Sequence, residues 1–301
     1  MDNFLEKKET LMKFSIVIPN WNGQKLLEKN LPAVLATGAA EVTIVDNGST
    51  DNSLQSINSL ESSKIKVIKN QTNLGFARAV NQGVKAAKNE IVVLLNNDVV
   101  PEKDFLKPLV KDFQDENVFA LSLNEPQWSW AKGQWVKGFV EHQPGKKTNK
   151  VHISFWAGGG SGAFRKSVWE KLGGLDEIFA PFYWEDIDLS YRAWKRGYQV
   201  LWEPKSIVHH QHESTIGSHF SKSYIDFISQ RNQLLFILKN ITNLKMITEN
   251  RIYLWKKLLT SIGYWRVFLA VCLKIPMILP RLIKEFLEKK VSDEQVFKQF
   301  S

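Results

Sequence analysis

Residues 184–189 read Trp-Glu-Asp-Ile-Asp-Leu, three carboxylates within four positions, directly behind the aromatic run Phe179-Ala-Pro-Phe-Tyr-Trp184. Carboxylates crowded into a partly dry place raise one another's proton affinity, so one of them can act as a base near neutral pH. About twenty residues later come His209, His210 and His212, a residue type that can add a metal ligand. The three acids are not equivalent. On a helix Glu185 and Asp188 share a face, whereas Asp186 points about 100° away from Glu185. Asp188 also precedes Arg192 by four residues, the spacing of an ordinary helical ion pair, and a structural role is expected of it.

A second polar series sits at the ends of β-rich runs. Asn20 follows Phe14–Ile18, Asp46 closes Val42–Asp46, and Asp98 follows the continuous apolar run Ile91–Leu95. A third short run is Ile65–Lys69, and another strand is expected over Val118–Leu123. Helices are expected over 24–37, from about Asn52, over 75–88, 102–113 and 185–197, with a short strand over 198–202. The alternation predicts an α/β fold, a mostly parallel sheet flanked by helices. Ligands in such sheets lie beyond the carboxyl ends of the strands, where these three polar residues stand. Residues 124–152, with Trp128, Trp130 and Trp135, interrupt the pattern and read as a long loop or hairpin near the site. Helices over 223–240, 244–273 and 277–290 follow, with Pro276 as a kink. Lys256, Lys274, Arg281, Glu285 and Glu288 fall on one helical face.

Composition narrows the classes. A chain of 301 residues, 44% hydrophobic and 24% charged, is an ordinary folded protein. Cys272 is the single cysteine, so no internal disulfide can form, and a reducing cytosol is expected. Residues 1–13 are polar and charged, without the apolar core of a secretory leader. No run of about 18 uncharged apolar residues suggests a spanning helix. The net charge of +9 is concentrated at one end: residues 222–301 hold 14 Lys/Arg against 6 Asp/Glu. A basic helical tail on a near-neutral body predicts an anionic membrane surface as partner, with a dimerisation bundle as the alternative. Nucleic acid is disfavoured, because the α/β body carries no basic stripe interleaved with aromatics.

Seven motifs then fall in one register: Ile16-Val-Ile-Pro-Asn-Trp-Asn-Gly23, Val45-Asp-Asn-Gly-Ser-Thr-Asp51, Asn73-Leu-Gly-Phe-Ala-Arg-Ala-Val-Asn-Gln-Gly83, Leu95-Asn-Asn-Asp-Val99, Gly158-Gly-Gly-Ser-Gly-Ala163, Gly173-Gly-Leu-Asp-Glu177 and the Glu185-Asp186 pair. Over residues 13–220 the chain resembles the family 2 glycosyltransferases, inverting enzymes of the GT-A fold that use nucleotide sugars, and within them the rhamnosyltransferase-like branch. The resemblance implies a catalytic domain over 14–221, preceded by an extension over 1–13 and followed by the basic helices of 222–301. It implies a nucleotide pocket from Pro19, Asn22, Asp46, Gly75, Arg78 and Asn97. Asp186 would be the base, with Glu185 and Trp184 at the acceptor. Asp98 would reach a Mg²⁺ or Mn²⁺ bridging the phosphates. Asn96 stands where the family places a first aspartate. In the family a histidine five residues before a serine completes the metal site, which points to His209 with Ser214; His210 and His212 are the fallbacks of a shifted register.

The expected activity is transfer of one sugar at a time from a UDP- or dTDP-sugar to a lipid-linked cell-surface glycan, in the cytoplasm at the inner membrane face. The chain lacks the Gln-x-x-Arg-Trp motif of processive members. Two other readings compete. A sugar-1-phosphate nucleotidylyltransferase would need a Gly-rich, Arg-bearing loop after the first strand, which Pro19-Asn-Trp-Asn-Gly23 lacks. A catalytically degenerate glycan- or nucleotide-binding protein is conceivable because of Asn96.

Overall fold

A computed structural model describes residues 12–210 and 220–301. The first four strands are β1 (Phe14–Asn20), β2 (Glu41–Asp46), β3 (Ile65–Lys69) and β4 (Ile91–Leu95). They pair in parallel, in the order β3-β2-β1-β4. Between them run α1 (Gln24–Leu35), α2 (Ser53–Asn58) and α3 (Phe76–Ala86). β4 is buried at all five positions, as its unbroken apolar sequence requires of a strand covered on both faces. The chain continues through β5 (Val99–Pro101), α4 (Leu106–Asp112), β6 (Val118–Asn124) and the hairpin β7 (Ala131–Val136) and β8 (Phe139–Pro144). Then come β9 (His152–Ile153), β10 (Ser161–Arg165), α5 (Lys166–Leu172), α6 (Glu185–Lys195) and β11 (Gln199–His210).

Two of these elements depart from the sequence expectation. The glycine-rich stretch makes a tight turn over 158–161 and then feeds β10, an antiparallel strand absent from the expected elements and inserted between β4 and β6. The strand expected over 198–202 extends to His210, pairing first with β6 in parallel and then with β5 antiparallel. The main sheet therefore has nine strands, in the order β3-β2-β1-β4-β10-β6-β11-β5 with β9 on β11. Both differences have one cause. Short strands rich in Gly, Pro and Lys carry little β-propensity of their own and form because neighbours supply the ladder.

Residues 222–301 fold into α7 (Lys222–Asn240), α8 (Leu244–Thr260), α9 (Tyr264–Cys272), α10 (Ile275–Glu288) and α11 (Asp293–Lys298). The helix expected over 244–273 is broken at Ser261–Gly263, and Pro276 begins α10 rather than kinking it. These helices share the main core. Phe236, Val271, Ile278, Phe297 and Phe300 pack in one cluster with Phe155, Tyr191 and Trp194 of the α/β body. Four cations weld the two parts. Lys195 meets Asp293 at 2.6 Å with both side chains inaccessible, and Arg196 pairs with Glu285. Lys239 lies 2.7 Å from Asp188 and 2.8 Å from Asp176, and Arg281 reaches Asp176 at 2.7 Å. Arg281, Glu285 and Glu288, expected on one face, turn that face toward the α/β body.

Candidate active site

The loops after β1, β2 and β4 meet over the carboxyl edge of the sheet. Asn20 ties them together. Its amide donates to Asp46 at 3.2 Å and Ser49 at 3.3 Å, and its oxygen accepts from Asn97 at 2.9 Å. Asn22 closes the rim: its oxygen accepts from Thr50 N at 2.8 Å while its own N–H donates to Ser49 Oγ at 2.9 Å. Asp46 is fully enclosed, so it supports this pocket through Asn20 and Ser49 instead of opening onto it. Gly75 starts α3 with φ of 86°, a left-handed conformation natural to glycine. Arg78 is exposed in the first turns of that helix. Asn81, by contrast, is structural, clipped to the backbone of Leu175 at 2.8 and 2.9 Å.

Beside the pocket stands Asp98, buried, its Oδ1 facing the His210 ring. The histidine expected there is His209, and the structure corrects this. His209 points outward, 55% exposed, toward Glu102 at 3.2 Å. His210 is the one that faces Asp98, Nε2 to Oδ1 3.1 Å, with Nδ1 3.3 Å from Glu125. The reason is the period of the strand: β11 pairs His210 with Val99 and His209 with Val100, so consecutive residues face opposite sides. Burial lowers the proton affinity of His210, but the two carboxylates outweigh it and push its pKa up to about 10. His212 and Ser214 lie outside the described residues. Asn96 turns toward the glycine-rich stretch: a Cβ at Gly160 would come within 2.4 Å of its amide.

The base candidate is delivered by α6. Tyr183 and Trp184 lead into it with φ of 72° and 77°, a conformation that costs about 1–3 kcal/mol at non-glycine residues and collects at functional sites. The loop is held from behind by the tail. Asn232 of α7 donates to the carbonyls of Phe179, Phe182 and Tyr183 at 2.5–2.9 Å. Asp186 is half-buried, and it accepts from Gly159 N at 3.1 Å and from Ile187 N at 2.8 Å. Glu185 Oε2 is buried with no hydrogen bond. Burial and the neighbouring Asp186 carboxylate push Glu185 up to about 8. Burial also raises Asp186, opposed by its two N–H donors. Glu185, with no hydrogen bond to its buried oxygen, holds its proton more tightly, while the two N–H donors favour the charged form of Asp186.

Trp184 does not take the acceptor position expected of it. It is 5% exposed, packed on Phe236 with ring centroids 5.3 Å apart. The rings that do line the cleft come from elsewhere. A cavity of about 480 Å³ beside Glu125 and Gly158 is bounded by Trp128, Trp156, Trp202 and His142. The hairpin supplies His142, whose pKa is lowered by burial. An aromatic-rich 124–152 segment was the one signal of this wall in the sequence.

A nine-stranded sheet with its polar loops at the carboxyl edge, an Asn-Asn-Asp strand end and a Glu-Asp helix start together define a GT-A glycosyltransferase scaffold. The solved structure of GalNAc-T7 with UDP, GalNAc and Mn²⁺ superposes with a TM-score of 0.64 at 19% identity, over 79% of this chain and 49% of that one. The family model described as Glycosyl transferase family 2 matches residues 15–172, and the chain belongs to that family. A glycosyltransferase of Nostoc is 39% identical over 115 residues, 36% of this chain and 35% of that protein. An N-acetylglucosaminyl-diphospho-decaprenol L-rhamnosyltransferase of Mycobacterium tuberculosis is 23% identical over 237 residues, covering 64% of this chain and 75% of that one. The chain thus spans only about a third of the Nostoc relative's length.

Proposed function

We propose that this chain is an inverting glycosyltransferase that moves one sugar from a UDP- or dTDP-sugar to a hydroxyl of a lipid-linked cell-surface glycan. One observation carries the reading: Asp186 is a half-buried carboxylate with raised proton affinity, held by two backbone N–H groups next to the cavity-lining turn at Gly158 and the cavity-wall His142. The acceptor hydroxyl gives its proton to Asp186 while its oxygen attacks the anomeric carbon. The bond from that carbon to the phosphate oxygen breaks, and its electron pair leaves on the nucleotide diphosphate. A single displacement inverts the anomeric centre. Glu185, kept neutral near pH 7, can donate a hydrogen bond to the acceptor. Trp128, Trp156 and His142 offer faces on which a sugar ring stacks.

The donor nucleotide is assigned to Pro19, Asn22, Gly75, Arg78 and Asn97, over the floor made by Asp46. Among the described residues no three His, Cys, Asp or Glu side chains form a complete metal cage. Asp98 Oδ1 and His210 Nε2, 3.1 Å apart, would hold a Mg²⁺ or Mn²⁺ brought with the donor's diphosphate, the cation displacing the proton that the ring keeps toward Asp98. Such an ion, when bound, offsets the charge that builds on the departing diphosphate. Nucleotide-sugar hydrolysis and transfer, followed for wild type and Asp186→Asn in Mn²⁺, test the reading. Turnover by the wild type and its loss in the variant are expected. Binding of donor without turnover by the wild type would favour the degenerate binder that Asn96 allows.

The tail supports a location at an anionic membrane face. No described helix is long and apolar enough to cross a membrane. Yet α8 to α10 present Leu259, Ile262, Leu269, Leu273 and Leu287 at 57–90% exposure, interspersed with exposed Lys256, Arg266 and Lys284. Apolar side chains among cations suit insertion at a headgroup layer. Co-flotation with phosphatidylglycerol-containing vesicles should be lost in Leu259→Ser/Ile262→Ser/Leu273→Ser without loss of thermal stability. Deleting 222–301 is no test, since those helices complete the core. A wild type that ignores vesicles and instead dimerises through this face would sink the membrane assignment.

A further inference from the structure

We infer that Glu125 is a positioning residue that sets the tautomer and aim of His210, and that the Ser161 turn joins this metal-side pair to the base. The inference rests on the metal reading above and extends it to residues that no sequence motif marks. Glu125 follows the last residue of β6, Ser161 opens β10, and His210 closes β11. The sheet order β10-β6-β11 makes these three strand ends neighbours. One oxygen, Glu125 Oε1, accepts from Ser161 Oγ at 2.7 Å and lies 3.3 Å from His210 Nδ1.

The consequence for His210 is specific. A carboxylate at Nδ1 keeps the proton on that nitrogen, so a cation arriving at Asp98 would displace the proton of Nε2 and take that nitrogen's lone pair. Nε2 lies 3.1 Å from Asp98 Oδ1. Asp98 and Glu125 thus grip the two nitrogens of one ring. Such outer partners fix the ring and raise its basicity, and removing one typically weakens metal binding about 10–100-fold.

Ser161 carries the line further. Its N–H donates to Gly158 O at 3.3 Å, closing the tight turn over 158–161. Inside that turn Gly159 N–H donates to Asp186, and Gly160 O accepts from Asn96 N at 2.8 Å. The turn therefore touches the base on one side and the Asn-Asn-Asp strand end on the other. Its glycines are fixed by contact: a Cβ at Gly160 would overlap Asn96, and one at Gly162 would sit 2.6 Å from Gly158 O.

Mn²⁺ binding to the full-length chain in saturating UDP, read by electron paramagnetic resonance, tests this without turnover. Glu125→Gln should weaken Mn²⁺ binding at least about 10-fold at unchanged melting temperature, and Glu125→Asp should recover part of it. In a His210→Ala background Glu125→Gln should add less than twofold, because Glu125 acts through the imidazole. Imidazole ¹⁵N shifts should show the Nδ1-protonated tautomer in the wild type with diamagnetic Mg²⁺ and UDP, and a mixture in Glu125→Gln. Unchanged Mn²⁺ affinity with an altered KM for donor or acceptor would overturn the inference and make Glu125 a sugar contact. Failure of the wild type itself to bind Mn²⁺ with UDP would remove the metal reading, and this inference with it.

Discussion

Asp186 and Asp188 stand two residues apart on α6 and meet opposite fates. Asp188 is wholly buried and saturated: Arg192 donates at 2.8 Å, Lys239 reaches both oxygens at 2.7 and 2.8 Å, and Asn240 adds a bond at 2.8 Å. Asp186 is half-buried and has two backbone N–H donors. Burial with matched cations makes a carboxylate a structural bolt; burial without them leaves its proton affinity high and its lone pairs usable. The contrast recurs across the molecule. Asp176 and Asp293, which join the α/β body and the tail from opposite sides, are held below the ordinary carboxylate range by Lys239, Arg281 and Lys195 against the cost of burial. Glu185, facing no cation, is pushed the other way.

The largest expected effect of breaking this contrast is on the paired side. Asp188→Asn strands the Lys239 and Arg192 charges in the core and should cost about 3–5 kcal/mol in urea unfolding. A loss under about 1 kcal/mol would show that the cluster is not a bolt. On the unpaired side, Asp186→Asn should cut transfer about 10²–10⁴-fold, the range of general base catalysis, while urea unfolding stays level or improves. A variant that loses both activity and stability would blur the distinction.

Stability against pH sharpens the same comparison. Glu185 holds its proton up to about pH 8 in the folded chain but releases it near 4.5 when unfolded. Its contribution is complete below the lower value and disappears as pH rises through the upper one. The melting temperature should therefore fall between about pH 4.5 and 8, and Glu185→Gln should flatten that limb. Asp176 and Asp293 have the opposite sign. Their contribution is present above the ordinary 3.8 and is lost as pH falls below it, so Lys195→Met should flatten the acid limb and leave the alkaline one alone. The smallest effect belongs to His209→Ala. Its outward, 55% exposed ring should leave stability within about 0.5 kcal/mol and Mn²⁺ binding intact, whereas His210→Ala should weaken that binding.

Much of this was legible in the residues. The βα alternation, the polar strand ends and the pairing of Asp188 with Arg192 are local: each follows from periodicity or from i, i+4 spacing. The misses are non-local. Trp184 reads as a cleft aromatic, but Phe236 of α7, fifty-two residues on, covers it. His209 and His210 are indistinguishable as letters, and only the register of β11 against β5 decides which one meets Asp98. Lys239, Asn232 and Glu285 look like an ordinary helical surface until α7 and α10 dock.

By itself the sequence determined the class of fold, the family and the short list of chemical groups, because these are written in spacings of a few residues and in motifs that keep their order. Tertiary structure alone decided which carboxylate is neutralised, which histidine faces inward, and that the basic tail is part of the core that holds the Glu-Asp loop. Those outcomes depend on partners 50 to 110 residues apart in the chain. Whether a buried charge serves stability or chemistry is settled by what is brought within about 3 Å of it, and no local pattern records that distance.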